Sequence, residues 1–139
     1  MMSLAVHNCM LHSLEAKGDE RRGFLVALEG ERNVPFKIAR IYYIFGSQPA
    51  VERGLHAHRA LRQWMICLNG AFSITVDDGR ARETIELSRP DLALEIGSPV
   101  WREIKASGPE AVLMVLASEW YDEGDYIHEY REFLTVAGV

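Results

Sequence analysis

Several features that mark whole classes of protein are scarce or absent in this chain of 139 residues. It has only two cysteines, Cys9 and Cys67, which excludes a framework of several disulfides. We expect both to be free thiols, because Cys67 lies within the apolar segment 64–68. There is no apolar run of about 18 residues and no basic segment leading into an apolar one near the start, so we expect a soluble, cytoplasmic protein. The net charge of −5 argues against nonspecific binding to nucleic acid or to anionic membranes.

Short apolar segments separated by turn residues dominate the chain from residue 24 to residue 118. They are rich in β-branched and aromatic residues, which favours strands over helices and predicts an antiparallel barrel or sandwich. Asn69-Gly70 and Asp77-Asp78-Gly79 predict hairpin turns, because asparagine, aspartate and glycine tolerate positive φ. The predicted strands span residues 24–28, 40–45, 54–58, 63–68, 71–76, 82–87, 92–96, 101–106 and 111–118.

The periodicity changes near the C-terminus. Ile127, Tyr130 and Phe133 with Leu134 recur at helical spacing, and the segment from Asp122 to Asp125 supplies acidic capping near the start, so we predict one C-terminal helix packed on the outside of the barrel. The length of the chain suits a single domain that spans residues 1–139. Since an open small barrel leaves strand edges exposed, we also expect a homodimer that pairs or exchanges N-terminal strands.

Two histidines separated by one residue, His56 and His58, are the most informative feature of the sequence. On a strand their imidazoles point to the same face, because side chains alternate with a period of two. A histidine titrates near neutral pH, so the pair suits proton transfer. Hydrogen-bonded structural histidines are the alternative interpretation.

The spacing from this pair to Gln63 and Gly70 matches the metal-binding motif of cupin barrels, His-x-His-x4-Glu-x6-Gly, which a later histidine completes. Here Gln63 occupies the glutamate position, and Arg102 lies where the last histidine is expected. An amide is a weak metal ligand and a guanidinium is none, so we predict that the protein uses no metal and no other cofactor. A metal-dependent dioxygenase or isomerase that uses His56 and His58 is the alternative.

Aromatic residues offer two further predictions, each with a structural alternative. Tyr42 and Tyr43 are adjacent in one predicted strand, so one of them faces the barrel interior. An inward phenol next to the histidines would carry a proton between two substrate oxygens, and core packing is the alternative. Trp101 either fills the barrel or stacks at its rim on a base or a sugar ring.

Three arginines are placed to bind an anion, although the chain is acidic overall. Arg40, Arg53 and Arg102 lie near the predicted barrel mouth, and their planar, forked donors suit a phosphate group. Solvated surface charge is the alternative interpretation for each of them.

Taken in order along the chain, these residues closely resemble the cupin-type nucleotide-sugar 3,4-ketoisomerases, which act on TDP-4-oxo-6-deoxy-D-glucose. The resemblance extends from about residue 22 to residue 133, and it implies an all-β fold: a cupin-like antiparallel β-barrel, or jelly roll, with a C-terminal helix. One departure is Arg102, since the family often has a histidine there. The matching segments are Arg22-Gly23, Leu25-Val26-Ala27-Leu28-Glu29, Val34-Pro35-Phe36, Arg40-Ile41-Tyr42-Tyr43-Ile44-Phe45, Arg53-Gly54-Leu55-His56-Ala57-His58, Gln63, Cys67-Leu68-Asn69-Gly70, Asp77-Asp78-Gly79, Val100-Trp101, Val115-Leu116-Ala117-Ser118, Tyr121-Asp122-Glu123 and Asp125-Tyr126-Ile127.

The resemblance implies an isomerase that moves a keto group from C4 to C3 without a metal, in deoxyaminosugar biosynthesis. It implies that His56 is the base that removes the proton from C3, with His58 and Tyr43 as its partners. Arg22-Gly23 resembles the version of the family whose 3-oxo product has the galacto configuration. The residues that we expect to bind the substrate are Arg22, Arg40, Arg53, Gln63, Trp101 and Arg102.

The chemistry of this reaction accounts for the residue types. The C4 carbonyl acidifies the hydrogen on C3, so a base can form an enediol between the two carbons, and reprotonation at C4 completes the shift. A nucleotide-sugar epimerase is one alternative, because it also needs proton transfer next to a carbonyl. A non-catalytic cupin that binds a sugar nucleotide is the other, because Trp101 and the arginines would suffice for it.

Overall fold

Two antiparallel sheets face each other in the computed structural model, which describes residues 2–139. The predicted all-β, cupin-like barrel with one C-terminal helix is therefore confirmed. No helix within residues 2–139 is long and apolar enough to cross a membrane. The elements are β1 (Met2–Ser3), β2 (Cys9–Ser13), β3 (Lys17–Asp19), β4 (Gly23–Leu25), β5 (Arg40–Phe45), β6 (Glu52–His58), β7 (Gln63–Asn69), β8 (Phe72–Asp77), β9 (Arg82–Leu87), β10 (Leu92–Ile96), β11 (Trp101–Ala106), β12 (Val112–Ala117), β13 (Tyr126–Ile127) and α1 (Tyr130–Ala137).

The order of the strands leaves the barrel open along one side. One sheet has the order β1-β2-β10-β7-β12-β5, and the other has the order β13-β6-β11-β8-β9. The edge strand β5 of the first sheet thus lies across from the β6 side of the second, and this opening gives access to the interior. The side chains between the sheets form the main core, which includes Met65, Phe72, Leu94 and Leu113.

The predicted strands agree with the observed ones to within two residues, apart from the first. The chain pairs over only Gly23–Leu25 of the predicted strand 24–28, and its partner is Lys17–Asp19 in a separate two-stranded hairpin. The following segment turns away to cover the outer face of the larger sheet, where Val34 and Phe36 pack against Trp64.

The two predicted hairpins have different outcomes. Asp77-Asp78-Gly79 joins β8 to β9, which pair with each other, so that prediction is confirmed. The hairpin predicted at Asn69-Gly70 is wrong, because β7 pairs with β10 and β12 in one sheet while β8 lies in the other. Gly70 has a φ of 68° and its backbone passes so close to Ala111 that an added Cβ would lie 2.9 Å from the Ala111 Cα. The turn residues therefore mark a crossing between the sheets.

The C-terminal helix begins later than the periodicity predicted. Ile127 belongs to β13, where it pairs with Ala57, and the helix starts at Tyr130. The acidic segment 122–125 forms a short 3-10 turn instead of the helix N-terminus. Phe133 is fully buried against Trp101 on the outer face of the smaller sheet, so the predicted packing of the helix outside the barrel is confirmed.

One buried carboxylate, Asp77, joins this helix to the barrel. Its Oδ2 accepts hydrogen bonds from the Tyr130 hydroxyl at 2.7 Å and from the Arg82 guanidinium at 2.9 Å, and its Oδ1 accepts one from the Gly79 amide at 2.7 Å. A buried carboxylate with these three donors holds together the β8–β9 turn and the first turn of α1.

We expect Asp77→Ala to lower the free energy of unfolding by about 2–3 kcal/mol, because three donors lose their acceptor at a buried position. Tyr130→Phe removes only one of these hydrogen bonds and should cost about 1 kcal/mol. Urea unfolding followed by circular dichroism measures both values. Equal stability of the Asp77→Ala protein and the native protein would contradict this account of the helix attachment.

Candidate active site

A cavity of about 560 Å³ opens between β5 and β6. The larger sheet contributes Arg40, Tyr42 and Gln63 to its wall, and the smaller sheet contributes His56 and Arg102. Its remaining lining residues are Ile41, Ile44, Glu52, Arg53, Gly54, Met65, Ile104 and Tyr126.

An irregularity in β6 sets the direction of the histidines. The register between β6 and β11 shifts so that His56 pairs with Arg102 but Gly54 pairs with Glu103. Gly54 and Leu55 both have positive φ, at 80° and 55°, a conformation that a leucine rarely adopts outside a constrained site. An added Cβ on Gly54 would lie 2.9 Å from the Arg102 carbonyl oxygen, so only glycine fits there. This β-bulge therefore turns His56 into the cavity.

The predicted common face of the two histidines is confirmed. The ring centroids of His56 and His58 lie 4.9 Å apart, and the rings are perpendicular. The Nδ1 atom of His56 lies 2.9 Å from the Gly54 carbonyl oxygen. A carbonyl oxygen can only accept, so Nδ1 carries the proton and donates it, which leaves the Nε2 lone pair of His56 free.

His56 is neutral at physiological pH. Burial, and then the positive charge of Arg102, lower its pKa to about 4. An uncharged imidazole with a free Nε2 in a cavity is able to accept a proton from a bound molecule.

His58 is held by a carboxylate from the loop before the C-terminal helix. Its Nδ1 donates to Asp125 Oδ2 at 3.0 Å, and Asp125 Oδ1 accepts from the Ala60 amide at 2.8 Å. The Nε2 atom of His58 is buried and has no hydrogen-bond partner within residues 2–139. Burial, followed by Arg102 and His56, lowers the pKa of His58 to about 2, so this ring is neutral too.

We expect Asp125→Asn to lower the turnover of this site by on the order of 10²-fold, because an amide can donate to His58 Nδ1 and so favour the other tautomer. Nitrogen-15 NMR of the histidines measures the tautomer, and kcat and KM measure the functional effect, which should fall mainly on kcat. Asp91→Asn, at an exposed ion pair with Arg89, is the matched control. Unchanged kcat with an unchanged His58 tautomer would refute this role of Asp125.

Arg102 forms the floor of the cavity. It is 1% exposed, its Nη1 donates to Gln63 Oε1, and its Nη2 donates to the Val100 carbonyl oxygen at 3.1 Å. Within residues 2–139, no carboxylate forms an ion pair with it. Burial lowers the pKa of Arg102 to about 10, so the guanidinium still carries its charge at neutral pH. A buried cation without a counterion strongly favours an anion in the adjacent cavity.

Gln63 connects Arg102 to a phenol. While its Oε1 accepts from Arg102, its Nε2 donates to the Tyr42 hydroxyl oxygen at 2.9 Å. The hydroxyl hydrogen of Tyr42 therefore remains available for donation into the cavity. Burial raises the pKa of Tyr42, which keeps the phenol protonated.

The structure brings together most, but not all, of the residues that the sequence indicated. His56, Arg40, Arg53, Gln63 and Arg102 line one cavity. His58 contacts His56 from behind and is itself almost fully buried.

Three predicted site residues lie elsewhere in this chain. Tyr43 is 63% exposed on the outer face of β5, so the inward phenol of this strand is Tyr42 and the placement predicted for Tyr43 is wrong. Trp101 is 6% exposed and points away from the cavity, because it alternates with Arg102 along β11 and packs beneath α1. Arg22 lies in the exposed turn of the β3–β4 hairpin, where its guanidinium is 3.9 Å from Asp19.

Two residues near the histidines were not selected from the sequence. Tyr126 lines the cavity, and its ring centroid lies 4.4 Å from that of His58 and 4.9 Å from that of His56. Asp125 is the partner of His58. Asp125 belongs to the acidic segment 122–125 that we interpreted as a helix cap, and Tyr126 directly follows it. The match of Asp125-Tyr126-Ile127 to the family pattern was a usable signal for both residues.

The side chains around His56 differ from a metal-binding set. Within residues 2–139, no group of three or more histidine, cysteine, aspartate or glutamate side chains is arranged to hold a metal ion. The groups that face His56 include the amide of Gln63 and the guanidinium of Arg102. A fixed positive charge in the wall opposes a second cation, and it favours a bound anion or a developing negative charge.

The sequence matches a known protein family and a curated enzyme. The family model described as FdtA, WxcM-like, C-terminal matches residues 7–138. A curated relative from Aneurinibacillus thermoaerophilus, TDP-4-oxo-6-deoxy-alpha-D-glucose-3,4-oxoisomerase, is 45% identical over 114 residues, which are 82% of each protein.

Two solved structures share the fold along nearly the whole chain. The TDP-quinovose 3,4-ketoisomerase WlaRB from Campylobacter jejuni is 46% identical, with a TM-score of 0.89 over 94% of this chain and 99% of that one. A mutant of the 3,4-ketoisomerase QdtA from Thermoanaerobacterium thermosaccharolyticum, in complex with TDP-4-keto-6-deoxyglucose, is 39% identical, with a TM-score of 0.90 over 95% of each chain.

Proposed function

The chain belongs to the FdtA family (WxcM-like, C-terminal), and on this premise we propose that it is a nucleotide-sugar 3,4-ketoisomerase of deoxysugar biosynthesis. It moves the keto group of TDP-4-oxo-6-deoxy-D-glucose from C4 to C3. The observation that carries the proposal is the neutral His56, whose Nε2 lone pair is left free in the cavity by the hydrogen bond from Nδ1 to Gly54. A related enzyme, QdtA, has been crystallised with this sugar nucleotide.

Proton removal from C3 is the first step of the proposed mechanism. The C4 carbonyl acidifies this hydrogen, and His56 Nε2 accepts it, which produces an enediolate across C3 and C4. Arg102 stabilises the negative charge that develops, because its guanidinium is already fixed at the cavity floor and has no carboxylate partner among the described residues 2–139. Negative charge in the cavity also favours the imidazolium that forms on His56.

The second half of the reaction returns the proton to C4 and moves a hydroxyl hydrogen. The His56 imidazolium donates to C4, which completes the carbon shift. Tyr42 is positioned to pass a hydrogen between the two oxygens, because the Gln63 amide already donates to its oxygen and leaves its own hydrogen free. His58, fixed by Asp125, provides a second neutral nitrogen next to the base. These roles replace the one that the sequence assigned to Tyr43.

The isomerase proposal is tested by incubating the protein with TDP-4-oxo-6-deoxy-D-glucose in heavy water and recording the NMR spectrum of the product. We expect a 3-oxo sugar that carries deuterium at C4. A 4-oxo sugar with inverted configuration would identify an epimerase instead. Folded protein that binds the nucleotide but gives neither exchange nor product would indicate a non-catalytic binding protein.

We also propose that two copies of the chain pair through the outer face of β5. Ile41, Tyr43 and Phe45 form an exposed apolar row on this edge strand. Phe24 and Leu25 are likewise exposed on β4, and the β3–β4 hairpin pairs with no other strand within residues 2–139. Edge strands and contiguous apolar side chains of this kind are typical of a surface that another chain covers.

Exchange of these hairpins would account for Arg22. In the isolated chain its side chain does not line the cavity, but a hairpin that crosses to a second copy would carry it to that copy's substrate. We propose that Arg22 then contributes to the galacto configuration at C4. In the proton NMR spectrum of product formed in ordinary water, this predicts a small coupling between H4 and H5, and a large coupling would contradict it.

We expect Phe45→Glu to convert the dimer to a monomer, because the substitution places a charge within the apolar row. Sedimentation equilibrium of the native and variant proteins measures the mass directly. Val136→Glu introduces the same charge on an exposed apolar position of α1, and it should leave the dimer intact. A native protein that remains monomeric at micromolar concentration would exclude the dimer.

A further inference from the structure

A third histidine lies beside the catalytic pair. Tyr126 pairs with His58 in the antiparallel ladder between β13 and β6. The same register brings His128, two residues later, opposite His56, and the ring centroids of these two histidines lie 6.4 Å apart. Ile127 is fully buried on the outer face of the sheet, and side chains alternate along a strand, so Tyr126 and His128 share the other face. The face that carries the proposed base therefore has a third imidazole at its edge.

The contacts of His128 hold it at the boundary with the solvent. Its Nε2 donates to Glu123 Oε1 at 2.6 Å, and Glu123 Oε2 accepts from the Tyr121 hydroxyl at 2.8 Å. The hydrogen bond from His128, followed by that from Tyr121, lowers the pKa of Glu123, so this side chain is a carboxylate and only accepts. His128 Nε2 therefore carries the ring hydrogen, and Nδ1 bears the lone pair. The imidazole stacks on Tyr126 at a centroid distance of 5.5 Å, and the side chain is 60% exposed.

The proposed reaction places a proton on His56 while the substrate fills the cavity. Burial, followed by the charge of Arg102, lowers the pKa of His56 to about 4, so its imidazolium releases a proton easily. Substrate bound in the cavity separates His56 from the open mouth, which blocks direct access of water. His128 does not line the cavity, and it remains in contact with the solvent beside it.

The distance and the charges define how a proton would cross from one ring to the other. At a centroid separation of 6.4 Å the ring nitrogens are too far apart for a direct hydrogen bond, and one water molecule is able to bridge them. The positive charge of Arg102 repels the proton on the cavity side, and the Glu123 carboxylate attracts it on the solvent side. Both charges favour movement from His56 to His128.

We propose that His128 is the route by which the proton held on His56 exchanges with water. The Nε2–H bond of His56 breaks as a bridging water accepts its proton, and an O–H bond of that water breaks as His128 Nδ1 accepts another. His128 then passes a proton to bulk water, and the reverse sequence returns a solvent proton to His56. The inference rests on the proposed function, because it concerns the proton that His56 removes from C3. Isomerisation itself does not need the exchange, since a retained proton and a solvent proton complete the shift at C4 equally well.

The fate of deuterium from C3 tests this route. His128→Phe keeps an aromatic ring beside Tyr126 and removes both nitrogens. With substrate deuterated at C3 in ordinary water, we expect the ratio of label transferred to C4 to label lost to water to rise roughly fivefold or more, while kcat changes less than about twofold. NMR of the product at low conversion measures the ratio. A ratio that stays the same or falls in His128→Phe would overturn the proposal, as would native protein that loses no label to water.

A higher ratio cannot result from general damage to the site. Slower return of the proton to C4 gives the proton on His56 more time to exchange, and this lowers the ratio. Glu123→Gln is a second variant: its amide oxygen can accept from Tyr121, which leaves its amide hydrogens to donate to His128 Nε2 and moves the ring hydrogen to Nδ1. It should raise the ratio as His128→Phe does. His7→Phe, on the exposed N-terminal segment, is the matched control and should keep the native ratio.

The outcomes also separate this inference from the isomerase proposal. Native protein that forms the 3-oxo sugar with the same label ratio as His128→Phe and Glu123→Gln would remove the proton route alone. Native protein that binds TDP but forms no 3-oxo sugar would remove the isomerase and, with it, the route.

Discussion

His56→Asn should lower kcat by about 10³-fold while changing the Kd for TDP by less than roughly threefold, since asparagine cannot act as a base. The Asn side chain is able to donate to the Gly54 carbonyl oxygen, as His56 Nδ1 does, so the β-bulge and the cavity should be retained. What the variant lacks is the free lone pair that faces the substrate. Steady-state kinetics with TDP-4-oxo-6-deoxy-D-glucose and calorimetric titration with TDP measure the two quantities.

His7→Asn is the matched control for this variant, because His7 is exposed on the N-terminal segment and does not line the cavity. It should have native kcat and native affinity. If His56→Asn retained more than about a tenth of native kcat, the base would have to be another group, and His58 would be the first to examine.

Arg102→Met should lower kcat by about 10²–10³-fold, because the enediolate loses the cation at the cavity floor. It should also change the pH dependence in a defined direction. In the native protein, burial and then the charge of Arg102 hold the pKa of His56 at about 4, so kcat/KM falls only as the pH drops through that value and His56 becomes protonated. Without the neighbouring cation, protonation of His56 is easier, and its pKa rises from about 4 towards the ordinary value of 6.5. The acidic limb of the profile therefore moves to higher pH.

Arg131→Met removes one positive charge from the exposed surface of α1 and should change neither the rate nor the acidic limb. Thermal unfolding of Arg102→Met checks that the variant is folded. This control is needed because the substitution leaves Gln63 Oε1 and the Val100 carbonyl oxygen without their donor, which lowers stability. A profile whose acidic limb stays near pH 4 in a folded Arg102→Met protein would show that the charge of Arg102 does not contribute to the lowered pKa of His56.

The arrangement explains how a metal-type motif can serve acid–base chemistry. His56, His58 and Gln63 have the sequence spacing of the cupin metal-binding motif, but the amide of Gln63 occupies the position of the motif's glutamate carboxylate. That amide accepts from Arg102 and donates to Tyr42, so it couples the fixed cation to a phenol. In the mechanism that we propose, Arg102 provides the positive charge that a metal ion provides in metal-binding cupins.

Residue pattern alone was sufficient for most of the strands between residues 40 and 118 and for the shared face of the histidines. Alternation along a strand is a local property, and it correctly placed His56 next to His58 and identified one inward tyrosine on β5. Which tyrosine faces inward depends on the orientation of β5 relative to β12, where Tyr42 pairs with Val115 and Tyr43 pairs with Met114. That register is set by tertiary packing, so Tyr43 was assigned the position that Tyr42 occupies.

The other differences have the same origin. Asn69-Gly70 has the local chemistry of a hairpin turn, but whether the two strands pair depends on partners far along the chain, which are β12 for β7 and β11 for β8. The sequence left open whether Trp101 lies inside the barrel or at its rim. In the structure it lies on the outer face of β11, where the C-terminal helix covers it. Arg102 is buried with no carboxylate partner in the described part of the chain, and this also depends on the whole fold, because most arginines are solvated.

The most direct test of the proton path uses substrate that carries deuterium at C3. If His56 removes this hydrogen, the labelled substrate should react more slowly than the unlabelled one, and the label should leave C3 for C4 or for the solvent. His56→Asn should leave the label in place. Complete incubation of folded native protein that returns a 4-oxo sugar with its C3 deuterium intact would contradict the central claim.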